Sequence, residues 1–280
     1  MNNRNHRNFG LIVGEAVFLL FALLYSVPLY TVLINAFKKQ EEIGRNPLAF
    51  PSFEAGFDNL VHAFERMELL RTYGVTVAIA AMSVGYSVFF SALAAYAIAR
   101  LRGRFFDGMF WLYTSFILLP IQSAFIPLIF VLKRFELYNN IFGLSMVYVA
   151  VTAPFAIFMY TGFIKSISRE MEESAVMDGS SPLRTFAVIL LPLLKPVTAT
   201  VAIFQIIYIW DDLLLPLVIL NSSDYPTITL MLYKFFSTEG MTDLGLLFGG
   251  FFLVLLPLVV LFLFFQQYFV KGLTAGSVKG

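Results

Sequence analysis

The sequence predicts an all-α, polytopic membrane protein: one transmembrane domain over residues 1-280 with six transmembrane helices. Three observations predict it. The chain is 59% hydrophobic and only 13% charged, against about half and about a quarter in soluble domains. The apolar residues gather in stretches long enough to cross a bilayer, which takes about 20 helical residues. One polar hairpin, at 166-195, stands out between two of those stretches.

The expected spans are 10-36, 74-99, 108-132, 141-164, 196-220 and 244-269. The first exceeds the ~7–15 apolar residues of a signal-peptide core. It runs into Phe37-Lys38-Lys39-Gln40 without a small-residue cleavage site, so it reads as a retained helix. Residues 38-73 form a mixed-charge connector broken by Pro47, Pro51 and Gly56. Within it, Phe57 to Phe64 has an amphipathic pattern that suits either a surface-lying helix or a solvated connector.

The second span is rich in small residues, among them Ala92, Ala95 and Ala99. Small residues let helix backbones approach closely in lipid. The third span carries Pro120, Gln122 and Pro127, the fourth Pro154, and the sixth Gly245, Gly249, Gly250 and Pro257. Proline and glycine are tolerated in spans where neighbours satisfy the freed backbone groups, and they permit bends.

Six spans put both termini on one side of the membrane. With the N-terminus inside, the larger share of the 19 Lys and Arg lies inside, notably the loop Arg100-Leu101-Arg102-Gly103-Arg104. Cytoplasmic loops carry that excess, so both termini and the 166-195 hairpin are expected in the cytoplasm.

Several function classes drop out. The chain has no cysteine and two histidines, His6 and His62, both outside the spans. No thiolate or histidine metal centre is expected, and no cofactor. A net charge of +1 gives no case for nucleic acid. No G-x-x-x-x-G-K-[ST] occurs, so the chain shows no P-loop nucleotide site of its own. No Ser/His or paired-carboxylate site lies at a suitable depth, so the chain does not read as an enzyme.

The hairpin reads as helix, tight turn, helix. Ser168 can accept a hydrogen bond from a free N–H at a helix start. Glu170 and Glu172 fall in the first turn, where the dipole favours negative charge. Met171, Ala175 and Asp178 share one face, and Gly179 can take the left-handed conformation that ends a helix. Ser181-Pro182 then supplies a cap and a first-position proline. On the residues alone, a solvated loop and a docking knob are both open.

The run Glu173-Ser174-Ala175-Val176-Met177-Asp178-Gly179-Ser180-Ser181, followed by Ile189-Leu190-Leu191-Pro192, resembles the EAA motif of ABC-importer permeases. Ala94-Ala95-Tyr96-Ala97-Ile98-Ala99-Arg100 is similar to the end of that family's second core helix. Tyr208-Ile209-Trp210-Asp211-Asp212 is similar to its Trp-Asn-Asp-Phe segment, and Gln266 to Gly280 to the C-terminus of maltose-type, MalG-like carbohydrate permeases. Ser174 replaces the motif's first alanine, Ser168 a frequent proline, and Asp211 the usual asparagine.

The resemblance implies a type I importer (MetI-like) transmembrane domain in a bacterial or archaeal cytoplasmic membrane. It implies a second homologous permease subunit, two cytoplasmic ATPase subunits and an extracytoplasmic sugar-binding protein as partners. Glu173 would pair with a basic residue of the ATPase. Ser174 and Ala175 would pack closely against it, Asp178 and Gly179 would form the turn, and Ile189, Leu190 and Pro192 would anchor the second arm.

Carboxylates within a span usually face a cavity or a partner. A sugar suits aromatic faces beside hydrogen-bonding groups, so Gln205, Tyr208, Trp210 and Asp211 are candidates for its path, with Gln122 a further one. Asp212 reads as hydrated where the helix bends toward the outer face. A permease for another cargo and an ion-coupled secondary transporter are the alternatives. The second usually shows repeat symmetry, and none is visible.

Overall fold

A computed structural model describes residues 2–238 and 243–277, with side chains described for 11, 13–238 and 243–266. Every regular element among the described residues is helical. The order is α1 (Asn2–Asn35), α2 (Gln40–Arg45), α3 (Asp58–Arg66), α4 (Leu69–Arg100) and α5 (Arg104–Phe116). A 3-10 turn (Ile121–Ala124) leads to α6 (Phe125–Arg134) and α7 (Ile141–Ser166). Then come α8 (Glu170–Met177), α9 (Pro182–Thr185), a π turn (Phe186–Leu190), α10 (Leu191–Leu193) and α11 (Lys195–Asp211). The chain continues through α12 (Leu214–Ile219), α13 (Ile228–Thr238) and α14 (Leu244–Ser277).

Four of these helices are long and apolar enough to cross a membrane unbroken: Val13–Asn35, Leu69–Arg100, Ile141–Ser166 and Leu244–Gln266. The expected spans 108-132 and 196-220 are not continuous helices. The third bends by 97° between α5 and the segment Ile121–Arg134. Pro120 causes that break, because it lacks an N–H and disfavours helical geometry at the residue before it. The fifth ends at Asp211 and resumes at Leu214, with the extended Asp212 and then Leu213 between. Upstream, the run Pro182–Leu193 meets α11 at 74°. Counting each bent pair as one span gives six.

The chain divides into two compact units. The first takes in Met1–Leu69 and Leu232–Pro257. Its α1 leaves most of its apolar surface exposed. The end of α1 is closed by Asn59 of α3, whose Nδ2 donates to the Ala36 carbonyl at 3.0 Å and the Lys38 carbonyl at 2.8 Å. Lys38 is fully buried, and its Nζ donates to the carbonyls of Asn46 and Pro47. Cations suit a helix C-terminus, which is where Lys38 meets α2. The segment Phe57 to Phe64 does form a helix, with Ala63 buried and Val61 and Phe64 exposed.

The glycines of α14 serve close approach here. A Cβ added at Gly249 would stand 2.6 Å from the Asn59 carbonyl oxygen. Only a hydrogen in place of the methyl admits the Asn59 backbone.

The second unit takes in Leu70–Met231 and Leu258–Gly280. Its core joins α4, α7 and α11. Ala92, Ala95 and Ala99 of α4 are buried against Ala156, Tyr160 and Ile164 of α7, so the small residues of α4 pack helices together. A polar thread crosses the same three helices. Gln205 Nε2 donates to Ser87 Oγ at 2.8 Å, Ser87 and Thr152 share a hydrogen bond at 3.3 Å, and Thr152 Oγ1 donates to the Tyr148 carbonyl. Interhelical hydrogen bonds in lipid contribute about 0.6–2 kcal/mol each.

Replacing Gly249 with alanine should lower stability by about 1–3 kcal/mol, because the methyl meets backbone that cannot swing away. Thermal unfolding in detergent measures it. Gly162→Ala is the control, since a Cβ there meets nothing within 4 Å, and it should leave the midpoint unchanged or slightly raised.

Candidate functional site

The polar hairpin is built as two arms around one glycine. Ser168 Oγ accepts the Glu170 N–H at 3.3 Å and so helps start α8. Glu170, Glu172 and Glu173 occupy the first turn, where their charge opposes the positive end of the helix dipole. The helix ends in a Schellman motif. The Gly179 N–H donates to the Val176 carbonyl and the Ser180 N–H to the Ala175 carbonyl, both at 2.9 Å. This closure needs a left-handed residue, and Gly179 supplies it with φ +83°.

The second arm starts as its sequence signals. Ser181 Oγ accepts the Arg184 N–H at 3.4 Å, and Pro182 takes the first turn. One π turn then widens the helix just before Pro192, a residue with no N–H for the ordinary ladder. Phe186, Leu190 and Leu194 are buried in the core with Ala95 and Ala99. Of the three residues expected as anchors, Leu190 is buried, Ile189 half-buried and Pro192 exposed. Phe186 and Leu194, four residues to either side of Leu190, complete the anchor face instead.

The first arm is attached differently. Glu172 is its one buried residue. Arg100, at the end of α4, donates from Nε to Glu172 Oε1 at 2.7 Å and from its terminal nitrogen to the Ile167 carbonyl at 3.1 Å. Each of the paired side chains is only 11% exposed. Glu173 next door is exposed, as are Ser174, Val176, Met177 and Asp178, and Ala175 is half-buried. Ser174 Oγ donates back to the Glu170 carbonyl, so it leaves a small, internally satisfied surface. The hairpin therefore presents an acidic and apolar outer face, with Met177 87% exposed at its tip. Sequence reasoning placed Glu172 only as a dipole partner. Its signal was a glutamate with an arginine 72 residues earlier, and only the fold makes them neighbours.

The polar groups of α11 fall on two sides. Tyr208 and Asp211 are exposed and share a face with Phe204, at i, i+4 and i+7. Gln205 and Trp210 are buried, Gln205 on Ser87 and Trp210 against the Tyr73 ring at 5.7 Å. Gln122 is exposed on the 3-10 turn. Asp212 is not simply hydrated. It accepts the Tyr148 hydroxyl at 2.8 Å and caps α12 through the N–H groups of Leu214 and Leu215.

A family model for binding-protein-dependent transport system inner membrane components matches residues 87–275, which include the hairpin and α11. The chain belongs to this family. As one of these inner membrane components it is a transport subunit, and the hairpin lies inside the matched region. It is 32% identical over 262 residues to a probable starch degradation products transport system permease protein, AmyC, of Thermoanaerobacterium thermosulfurigenes, covering 93% of this chain and 94% of that one. It is also 32% identical to the melibiose/raffinose/stachyose import permease protein MelC of Bacillus subtilis, covering 92% and 93%. Among solved structures, a bacterial ABC transporter involved in the import of the acidic polysaccharide alginate matches with a TM-score of 0.81 at 21% identity, over 96% of this chain and 99% of that one. The fold is that of this importer class.

Asp212→Ala should destabilise the chain by about 1–2 kcal/mol, the usual cost of a lost helix cap. Tyr148→Phe should reproduce part of that loss. Asp211→Ala, on the exposed face, should leave the unfolding midpoint in detergent within about 0.5 kcal/mol of the parent.

Proposed function

We propose that this chain is a permease subunit of an ATP-driven, binding-protein-dependent sugar importer, and that residues 166-195 are its coupling loop to a cytoplasmic ATPase. The observation that carries the reading is the outer face of the hairpin. It is acidic, apolar at the tip, stiffened by the Gly179 closure and held to the bundle by both arms. Relatives named for starch products, melibiose, raffinose and arabinooligosaccharides support a saccharide cargo.

In this reading both termini and the hairpin lie in the cytoplasm. The complex holds a second, homologous permease, two ATPase subunits and an external sugar-binding protein. Glu173 pairs with a cation on the ATPase, while Ala175 and Met177 pack into its cleft. The ion pair fixes register and partner choice, and the apolar contacts supply most of the affinity. ATP binding draws the two motors together, each carries a hairpin with it, and the two permeases rock between inward-facing and outward-facing cavities. Such a switch works because each ligand binds one state better than the other. Tyr208 and Asp211 lie on the open face of α11 and line the sugar path, while Gln205 and Trp210 form the wall behind it.

Glu173→Lys should cut copurification of the ATPase and sugar uptake by about tenfold or more, the cost of a like-charge clash at an interface. Uptake is measured with radiolabelled oligosaccharide in cells or proteoliposomes. Parental uptake and ATPase recovery in that variant would refute the docking role.

A further inference from the structure

Two adjacent glutamates of α8 face opposite ways, and the difference points to a division of labour. Glu173 is exposed and has no ion-pair partner among the described residues. Glu172 is 8% exposed and sits against Arg100. Half-buried Ile167, just before α8, packs against the core, but apart from Glu172 no residue of α8 itself is buried, so the helix has no apolar plug in the bundle. Its attachment is polar: Arg100 to Glu172, Arg100 to the Ile167 carbonyl, and Arg169 to the Ala99 carbonyl at 3.4 Å. All three contacts end on the last turn of α4. The second arm, by contrast, is anchored by Phe186, Leu190 and Leu194.

We infer that Arg100 and Glu172 form a transmission joint, which makes α8 and α4 move as one body when a partner pulls on the hairpin. The inference rests on the coupling-loop reading above. A planar guanidinium bound both to a carboxylate and to a backbone carbonyl fixes direction as well as distance. Removing one partner leaves the other charge buried and unpaired. A broken joint lets α8 swing about its C-terminal turn while Glu173 still faces outward. ATPase docking then survives and force transfer fails. Arg100 and Glu172 are positioning residues, since neither is placed on the sugar path nor on the docking face.

Three variants of the reconstituted full complex test this: Glu172→Gln, Arg100→Gln and the exchange Arg100→Glu with Glu172→Arg. Each single change should leave ATPase copurification at the parental level and lower the sugar transported per ATP hydrolysed by about five- to tenfold, within the range expected for changes along a coupling network. The exchange should recover at least part of that ratio. Loss of ATPase copurification in Glu172→Gln would overturn the joint by making Glu172 a docking residue, yet leave the coupling-loop reading standing. A parental transport ratio in both single variants would also overturn it.

Because the chain has no cysteine, spin labels at Phe89→Cys on α4 and Glu170→Cys on α8 give a second measurement on the otherwise unaltered joint. One narrow distance, the same with and without ATP, is the expected result. A distance that shifts or broadens between the two states would sink the joint even if the charge variants failed to fold. Failure of the parental complex to bind any ATPase would instead remove the coupling-loop reading itself.

Discussion

A chain in lipid must satisfy its backbone polar groups from within, and this constraint organises the structure. At several breaks between helices a side chain takes over the freed groups. Asn59 closes α1 and Asn140 accepts the N–H groups of Phe142 and Gly143 at the start of α7. Asp212 caps α12, Ser181 caps α9, and Arg100 reaches the carbonyl that follows α7. The bends of the third and fifth spans are tolerated because their ends have such partners or proline. These same capped breaks are what let a bundle of long helices carry a compact hairpin.

The hairpin shows how one element is made both rigid and separable. Its second arm belongs to the apolar core through Phe186, Leu190 and Leu194. Its first arm is held to the end of α4 mainly by polar contacts, chiefly the Arg100–Glu172 pair, and leaves Met177 and Glu173 exposed. The apolar anchor resists separation from the bundle, since each buried large side chain contributes about 1.5–3 kcal/mol. The charge pair adds little affinity for its cost in desolvation, but it fixes orientation.

The membrane class and the positions of four spans follow from composition and run length, because burial in lipid is a property of whole stretches. Ser168, Gly179, Ser181 and Pro182 were legible one by one, since capping and left-handed turns depend on near neighbours in the chain. The break at Pro120 was signalled by its proline, but its 97° angle was not. The α11 residues were only half legible. Aromatic and carboxylate groups in a span mark a polar purpose, yet which of Tyr208, Trp210, Asp211 and Asp212 face inward depends on helix rotation. The Arg100–Glu172 contact could not be read from spacing at all, because 72 residues of chain separate its members. Likewise the glycines of α14 suggest bends, whereas Gly249 accommodates the backbone of Asn59.

In the proposed function the hairpin tip meets a motor subunit on the cytoplasmic side. Met177→Cys places a unique thiol on that tip, in a chain that otherwise has none. In inverted and right-side-out vesicles, a membrane-impermeant maleimide should label it from the cytoplasmic face alone. A short bifunctional reagent should then join it to the ATPase subunit. Labelling from the outer face, or a cytoplasmic thiol that never crosslinks to an ATPase in a transporting complex, would rule out docking at the tip.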